Sequence, residues 1–145
     1  TGRERIFKLI KFRTMTNKKD ENGNLLPDEK RLTGYGKFLR STSLDELPEL
    51  FNIFVGDMSI VGPRPERPEI AAEYEREMPE FQLRLQVKAG LTGYAQVYGK
   101  YNTTMKDKLL LDMYYIERYS LIDDIKLLLM TVKIVFVPES SEGIK

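Results

Sequence analysis

Asp45 and Glu46 stand side by side in Ser43-Leu44-Asp45-Glu46-Leu47-Pro48-Glu49-Leu50, just after a basic stretch that ends at Arg40. The chain has no His and no Cys. The side chains most used for acid–base and nucleophilic work near neutral pH are therefore absent. Any chemistry falls to carboxylates, Lys/Arg, Tyr or a bound metal. Without imidazole or thiolate donors, that metal would be a hard, oxygen-liganded cation such as Mg²⁺ or Mn²⁺. An ionised Asp can attack phosphorus and form an acyl phosphate. A neighbouring Glu can help hold a metal or handle a proton. The same pair also reads as an ordinary helix start: Ser43 followed by Glu46 fits a capping box, and first helical turns favour acids.

Three other groups could meet an anion. Pro63-Arg64-Pro65 fixes the backbone on both sides of one guanidinium, which suits bidentate phosphate recognition; it also reads as a stiff surface turn. Lys11 and Arg13, two apart on a strand, would point to one side; they also fit an exposed basic edge. The loop from Gly90 to Gln96, with Gly93, could let its backbone approach a ligand, or be a plain turn. Its spacing matches neither a Walker loop nor a dinucleotide fingerprint.

The elements that must carry these groups read as follows. Residues 6–15 mix apolar and basic side chains as a strand does. Residues 16–30 hold Asn22-Gly23 and Pro27 and read as a turn and loop. A helix is expected over 33–41 and another from the Asp-Glu pair, with Leu47, Leu50, Phe51 and Phe54 as its apolar face. Two helices follow Pro68, the second opening at Pro79. A loop over 89–93 leads to a short strand over 94–98. Two longer helices close the chain, over 104–119, where Met105, Leu109, Met113 and Ile116 share a face, and over 121–137. The last is apolar around most of its circumference, so it is either buried or interfacial. Thr1-Gly2-Arg3 reads as a turn, as if cut from something longer, and 138–145 as a tail.

Composition bounds the class. One domain of 145 residues, 41% hydrophobic and 31% charged, suits a folded soluble or peripheral protein. The net charge of +1 conceals an asymmetry: residues 1–40 hold 11 Lys/Arg against 5 Asp/Glu, and the remainder 12 against 17. A basic first third favours an anionic partner. It carries no recognisable nucleic-acid motif, so nucleic acid is not expected. No apolar run is long enough to span a bilayer.

The order of four stretches is more telling than any one of them. KFRTM (11–15), GKFLRSTSLDELPELFNIFVGDMSIVGPRP (36–65), GLTGYAQVYGKYN (90–102) and DMYYIERYSLIDDIKLLLMTVKIVF (112–136) resemble the bacterial sugar transferases, the monotopic polyprenyl-phosphate phosphoglycosyl transferases. The resemblance implies an α+β fold, mostly helical, with a small short-stranded sheet and amphipathic membrane-interface helices. It implies a catalytic domain over 1–137 that lacks the family's preceding membrane helix. The implied reaction moves a sugar-1-phosphate from a UDP-sugar to undecaprenyl phosphate through a phosphosugar ester on Asp, with Mg²⁺, at the cytoplasmic face of a bacterial inner membrane. Glycan-assembly enzymes and a second copy are the further partners this would suit. By motif position Asp45 is the nucleophile and Asp45 and Glu46 the metal pair, while Arg40, Arg64, Lys11, Arg13, Gly93 and Gln96 face substrate. Where the family often has Asn-Gly-Arg, this chain has Tyr98-Gly99-Lys100, a less directional cation. Two other readings stay open: a metal-dependent nucleotide-sugar hydrolase, and a non-catalytic anion-binding or assembly module.

Overall fold

A computed structural model describes residues 6–99 and 102–136. Among these, helices α1 (Asp28–Arg31), α2 (Gly34–Ser41) and α3 (Glu49–Phe54) precede strand β1 (Ser59–Val61). Then come α4 (Pro68–Glu77), a 3₁₀ segment (Pro79–Gln86), strand β2 (Gly90–Thr92), α5 (Tyr94–Tyr98), α6 (Met105–Glu117) and α7 (Leu121–Phe136). A shorter 3₁₀ turn, Leu44–Glu46, joins α2 to α3. The fold is α+β, mostly helical, with one two-stranded parallel sheet in which Ser59 faces Gly90 and Val61 faces Thr92. The expected 138–145 tail, the turn at residues 1–3 and the Lys100 position lie outside the described residues.

The core forms where side chains of α6 and α7 meet β1. Val61, Tyr115 and Leu127 are buried together, with Val87, Tyr94, Val97, Ile116 and Leu128 around them. Polar links fix the layers. The Tyr115 hydroxyl donates to Asp124 at 2.9 Å. Thr131 donates to the Leu127 carbonyl, so in its 2.7 Å contact with Thr92 the donor is Thr92. The sheet itself depends on glycine. A Cβ on Gly90 would fall 2.1 Å from the Gly62 nitrogen, so only a bare backbone lets β2 close on the turn after β1.

A buried ion pair ties the 3₁₀ segment to α6. Arg84 Nη2 lies 2.8 Å from Asp112 Oδ2, and both side chains are nearly sealed from solvent. Burial raises the Asp112 carboxyl to about 6, against the opposing pull of Arg84.

Several expectations fail for identifiable reasons. Residues 6–14 form no strand; only Met15 makes an isolated bridge, to Leu32. Among the described residues, no second strand lies alongside them. Their backbone bonds go elsewhere: Ile10 N–H donates to Asn52 Oδ1, Asn52 Nδ2 donates to the Lys8 carbonyl, and Phe12 N–H donates to the Asp45 carbonyl. The short strand expected after Gly93 is helix α5, because Gln96 and Val97 both donate to the Gly93 carbonyl and Tyr94 stacks on Tyr98. Part of the expected loop over 89–93 is β2. Ser43 caps nothing. It sits in the left-handed region at φ 54°, makes no capping bond, and α3 begins only after Pro48. The helix expected over 33–41 forms with Thr33 as its cap, and Pro68 and Pro79 each open their segments.

Two outcomes test this packing. Gly90→Ala should cost about 2 kcal/mol or more in chemical unfolding, since the clash is with backbone that cannot swing away. Asp112 titrates higher folded (about 6) than its ordinary 3.8, so its contribution falls as pH rises through 4 to 6 and grows as pH drops. Relative to Asp112→Asn, which does not titrate, the native chain should gain about 1 kcal/mol in urea unfolding between pH 7.5 and pH 5. A difference that does not change with pH would contradict the shift.

Candidate active site

The site is assembled from three stretches far apart in the chain. The 3₁₀ turn after α2 carries Asp45 and Glu46. The N-terminal segment, pinned across α3 by Asn52, brings Lys11. The turn leaving β1 brings Arg64. Lys11 Nζ donates to Glu46 Oε1 at 2.9 Å and lies 3.0 Å from Glu49 Oε1. Arg64 grips Glu46 with both terminal nitrogens, Nη1 to Oε2 at 3.2 Å and Nη2 to Oε1. Burial opposes charge on Glu46, but Arg64 and then Lys11 outweigh it and hold the carboxyl below its ordinary range. Burial also opposes charge on Arg64, yet Glu46 keeps its guanidinium above its ordinary value. For Glu49 burial wins over Lys11, and its carboxyl is raised.

Asp45 differs from its neighbour. Its backbone carbonyl accepts from Phe12, while its carboxylate makes no hydrogen bond or ion pair among the described residues. One acid of the pair is thus clamped by two cations, and the other is left open toward a cleft.

That cleft encloses about 2030 Å³ and includes Lys11, Arg40, Asp45, Glu46, Arg64 and Gln96 in its lining. Arg40 is steadied by Thr14, whose Oγ1 accepts from Nε at 3.1 Å. Gln96 Nε2 donates to the Leu91 carbonyl at 2.9 Å. Helix α7 contributes apolar lining, with Leu128, Val132, Val135 and Phe136. Two residues singled out in the sequence are not brought in. Arg13 is exposed and lies outside the cleft lining. Gly93 is buried against the Gly62 carbonyl, where a Cβ would fall at 2.3 Å, so its demand is packing.

Sequence reasoning did not find Glu49, Asn52, Arg84 or Asp112. Helix α3 is inside out relative to expectation. Glu49 and Asn52 are 1% and 2% exposed, while Leu47, Leu50, Phe51 and Phe54 face outward, Phe54 at 88%. The available signal was two polar residues three apart in an apolar helix, which marks a polar stripe. Nothing local says that the stripe faces in.

The donor set bears on metal binding. No group of three or more acidic residues poised for a cation occurs among the described residues. Both Glu46 oxygens are engaged by cations, so the uncommitted protein ligand is Asp45. A single carboxylate completed by substrate phosphate oxygens and water is how Mg²⁺ is commonly held, so the residues fit it on those terms.

Comparison with known proteins identifies relatives of the chain. The family model for bacterial sugar transferases matches residues 1–138. An uncharacterized sugar transferase, EpsL, of Bacillus subtilis is 46% identical over 96% of this chain and 66% of its own length. A UDP-glucose:undecaprenyl-phosphate glucose-1-phosphate transferase of Xanthomonas campestris is 41% identical over 90% of this chain and 28% of its own. A UDP-N-acetylgalactosamine-undecaprenyl-phosphate N-acetylgalactosaminephosphotransferase of Aeromonas hydrophila is 36% identical over 89% and 32%. The chain thus spans two-thirds or less of the length of these relatives. With its motifs, fold and a match over nearly its whole length, the chain belongs to the bacterial sugar transferase family.

Proposed function

We propose that this chain is the catalytic portion of a phosphoglycosyl transferase. It moves a sugar-1-phosphate from a UDP-sugar to a polyprenyl phosphate at a membrane surface, with residues 1–137 as the catalytic domain. The observation that carries the reading is the uncommitted Asp45 carboxylate beside a Glu46 clamped by Lys11 and Arg64, in a cleft lined by both cationic and apolar side chains. The names of the relatives supply the substrate classes, UDP-sugars and undecaprenyl phosphate.

In this mechanism an Asp45 oxygen attacks the phosphorus that bears the sugar. The new bond is an aspartyl phosphosugar ester. The bond from that phosphorus to the bridging oxygen breaks, and UMP leaves with the electron pair. An oxygen of the polyprenyl phosphate then attacks the same phosphorus, and the Asp45 oxygen leaves as carboxylate. No proton has to move in the first step, which suits a site without His. Attack on a phosphoanhydride needs alignment and charge neutralisation more than proton transfer. Arg64 and Arg40 supply fixed positive charge for the diphosphate. Glu46 keeps Arg64 and Lys11 at the site and prevents either from pairing with the nucleophile. When bound, Mg²⁺ would neutralise diphosphate charge, held by Asp45 and substrate oxygens.

The surface supports a membrane setting. No helix among the described residues is long and apolar enough to cross a bilayer. Yet Ile122, Ile125, Leu129, Val132 and Phe136, at three- and four-residue spacing on α7, are each more than half exposed. So are Phe51, Phe54 and Val55 at α3. Apolar stripes of this size usually meet another apolar phase, and an interfacial helix does so at the lipid headgroup boundary. The acceptor lipid would reach the apolar lining of the cleft from that side.

In the full-length enzyme, Asp45→Asn should reduce UMP release from a UDP-sugar with polyprenyl phosphate by ~10³-fold or more, as removal of a covalent nucleophile does. It should also abolish the phosphosugar adduct on the peptide holding residue 45, seen by mass spectrometry. Retained turnover would exclude Asp45 as nucleophile. Chelation of divalent cations should stop UMP release, and Mg²⁺ or Mn²⁺ should restore it; activity indifferent to chelator would remove the metal from this scheme. Sugar phosphate released to water as fast as it is transferred to lipid would favour a hydrolase instead.

A further inference from the structure

Pro63 and Pro65 have no N–H, so neither can anchor the Arg64 turn by donating a hydrogen bond. The turn is held through two consecutive carbonyls. Gly90 N–H donates to the Pro63 carbonyl at 2.9 Å, an extension of the sheet. Arg84 Nη2 donates to the Arg64 carbonyl at 2.7 Å, from a side chain 20 residues away that is 5% exposed.

Arg84 is itself fixed from several sides. Asp112, 2% exposed, lies 2.8 Å from Nη2. The Phe81 ring centroid lies 4.7 Å from the guanidinium carbon. Glu66 lies 3.8 Å from Nη1 and is in turn held by Lys108 at 2.8 Å. A buried pair of this kind adds little net stability, because desolvation cancels much of its attraction. Its geometry has another consequence. The Arg84 bond ends on the backbone of Arg64, whose side chain grips Glu46 with two nitrogens.

We propose that Arg84, oriented by Asp112, is a positioning residue for Arg64: it fixes the Arg64 backbone so that the guanidinium stays aimed at Glu46 and the adjoining diphosphate site. Asp112 would act one step further out, by holding Arg84. The inference rests on the phosphate-transfer reading of the Asp45–Glu46–Arg64 site.

The test uses the full-length enzyme with Arg84→Gln and Arg84→Lys, each alone and combined with Arg64→Gln. Arg84→Gln should lower kcat/KM for the UDP-sugar by ~10- to 100-fold, the scale of a misplaced contact group. It should cause no further loss in the Arg64→Gln background, since both changes remove the same interaction. Arg84→Lys, which keeps a donor for the carbonyl, should recover part of the activity. A second readout needs no turnover. Phenylglyoxal labelling of Arg64, followed by peptide mass spectrometry, should run several-fold faster in Arg84→Gln than in the native protein. Losses that multiply in the double variant, or Arg64 labelling that does not change, would overturn the proposal. If Arg64→Gln alone leaves turnover intact, the phosphate-transfer role of Arg64 fails, and the labelling still decides whether Arg84 fixes it. Should Arg84→Gln not fold, Arg84→Lys carries the same measurements, with smaller shifts expected in both.

Discussion

The clamp of Lys11 and Arg64 on Glu46 is the interaction around which the rest of the site is arranged. It joins the non-strand N-terminal segment, a 3₁₀ turn and the turn leaving β1. It also settles the electrostatics of the acid pair. Two adjacent carboxylates repel one another, and two cations placed on one of them relieve that repulsion. The other, Asp45, makes no side-chain hydrogen bond or ion pair among the described residues. A single carboxylate in the same place would have drawn Arg64 or Lys11 onto itself and lost its lone pairs to them. The two acids therefore differ in setting: Glu46 holds two cations, and the Asp45 carboxylate holds none among the described residues.

The supports of that clamp are backbone-level and long-range. Gly62 and Gly90 permit a contact that any Cβ would block, and so bring β2 against the Arg64 turn. Asn52 satisfies the N-terminal segment by bonding both its donor and its acceptor, where a neighbouring strand would otherwise be needed. The cost appears on α3. Turning Glu49 and Asn52 inward forces Leu50, Phe51 and Phe54 outward. Exposed apolar area is unfavourable in water by roughly 25 cal/mol per Å². At a lipid boundary, as in the proposed membrane setting, that penalty would disappear, so the same rotation that builds the polar site would suit the protein to such a surface.

The sequence was most legible where the signal is local. Pro68 and Pro79 open their segments, and α2, α6 and α7 lie where helices were expected. Two similar cap patterns had opposite outcomes. Thr104 and Asp107 form a reciprocal capping box, with nothing nearby to compete. Ser43 and Glu46 do not, because Glu46 has stronger partners 35 positions back and 18 positions ahead. The strand expectations failed on the same ground. Residues 6–15 and Tyr94–Tyr98 have strand-like composition, but a strand exists only if another lies beside it.

Residue inventory and order thus came from the chain alone: chemistry without His or Cys, an acid pair between a basic stretch and a Pro-Arg-Pro turn, and the family to which that order belongs. Folding decided which acid of the pair is free, which face of α3 is buried, that Arg13 and Gly93 stand apart from the cleft, and that Arg84 and Asp112 stand behind Arg64. Each of those depends on contacts between residues tens of positions apart. Such contacts leave no periodicity in the sequence, because they are set by which surfaces meet when the helices close on the sheet.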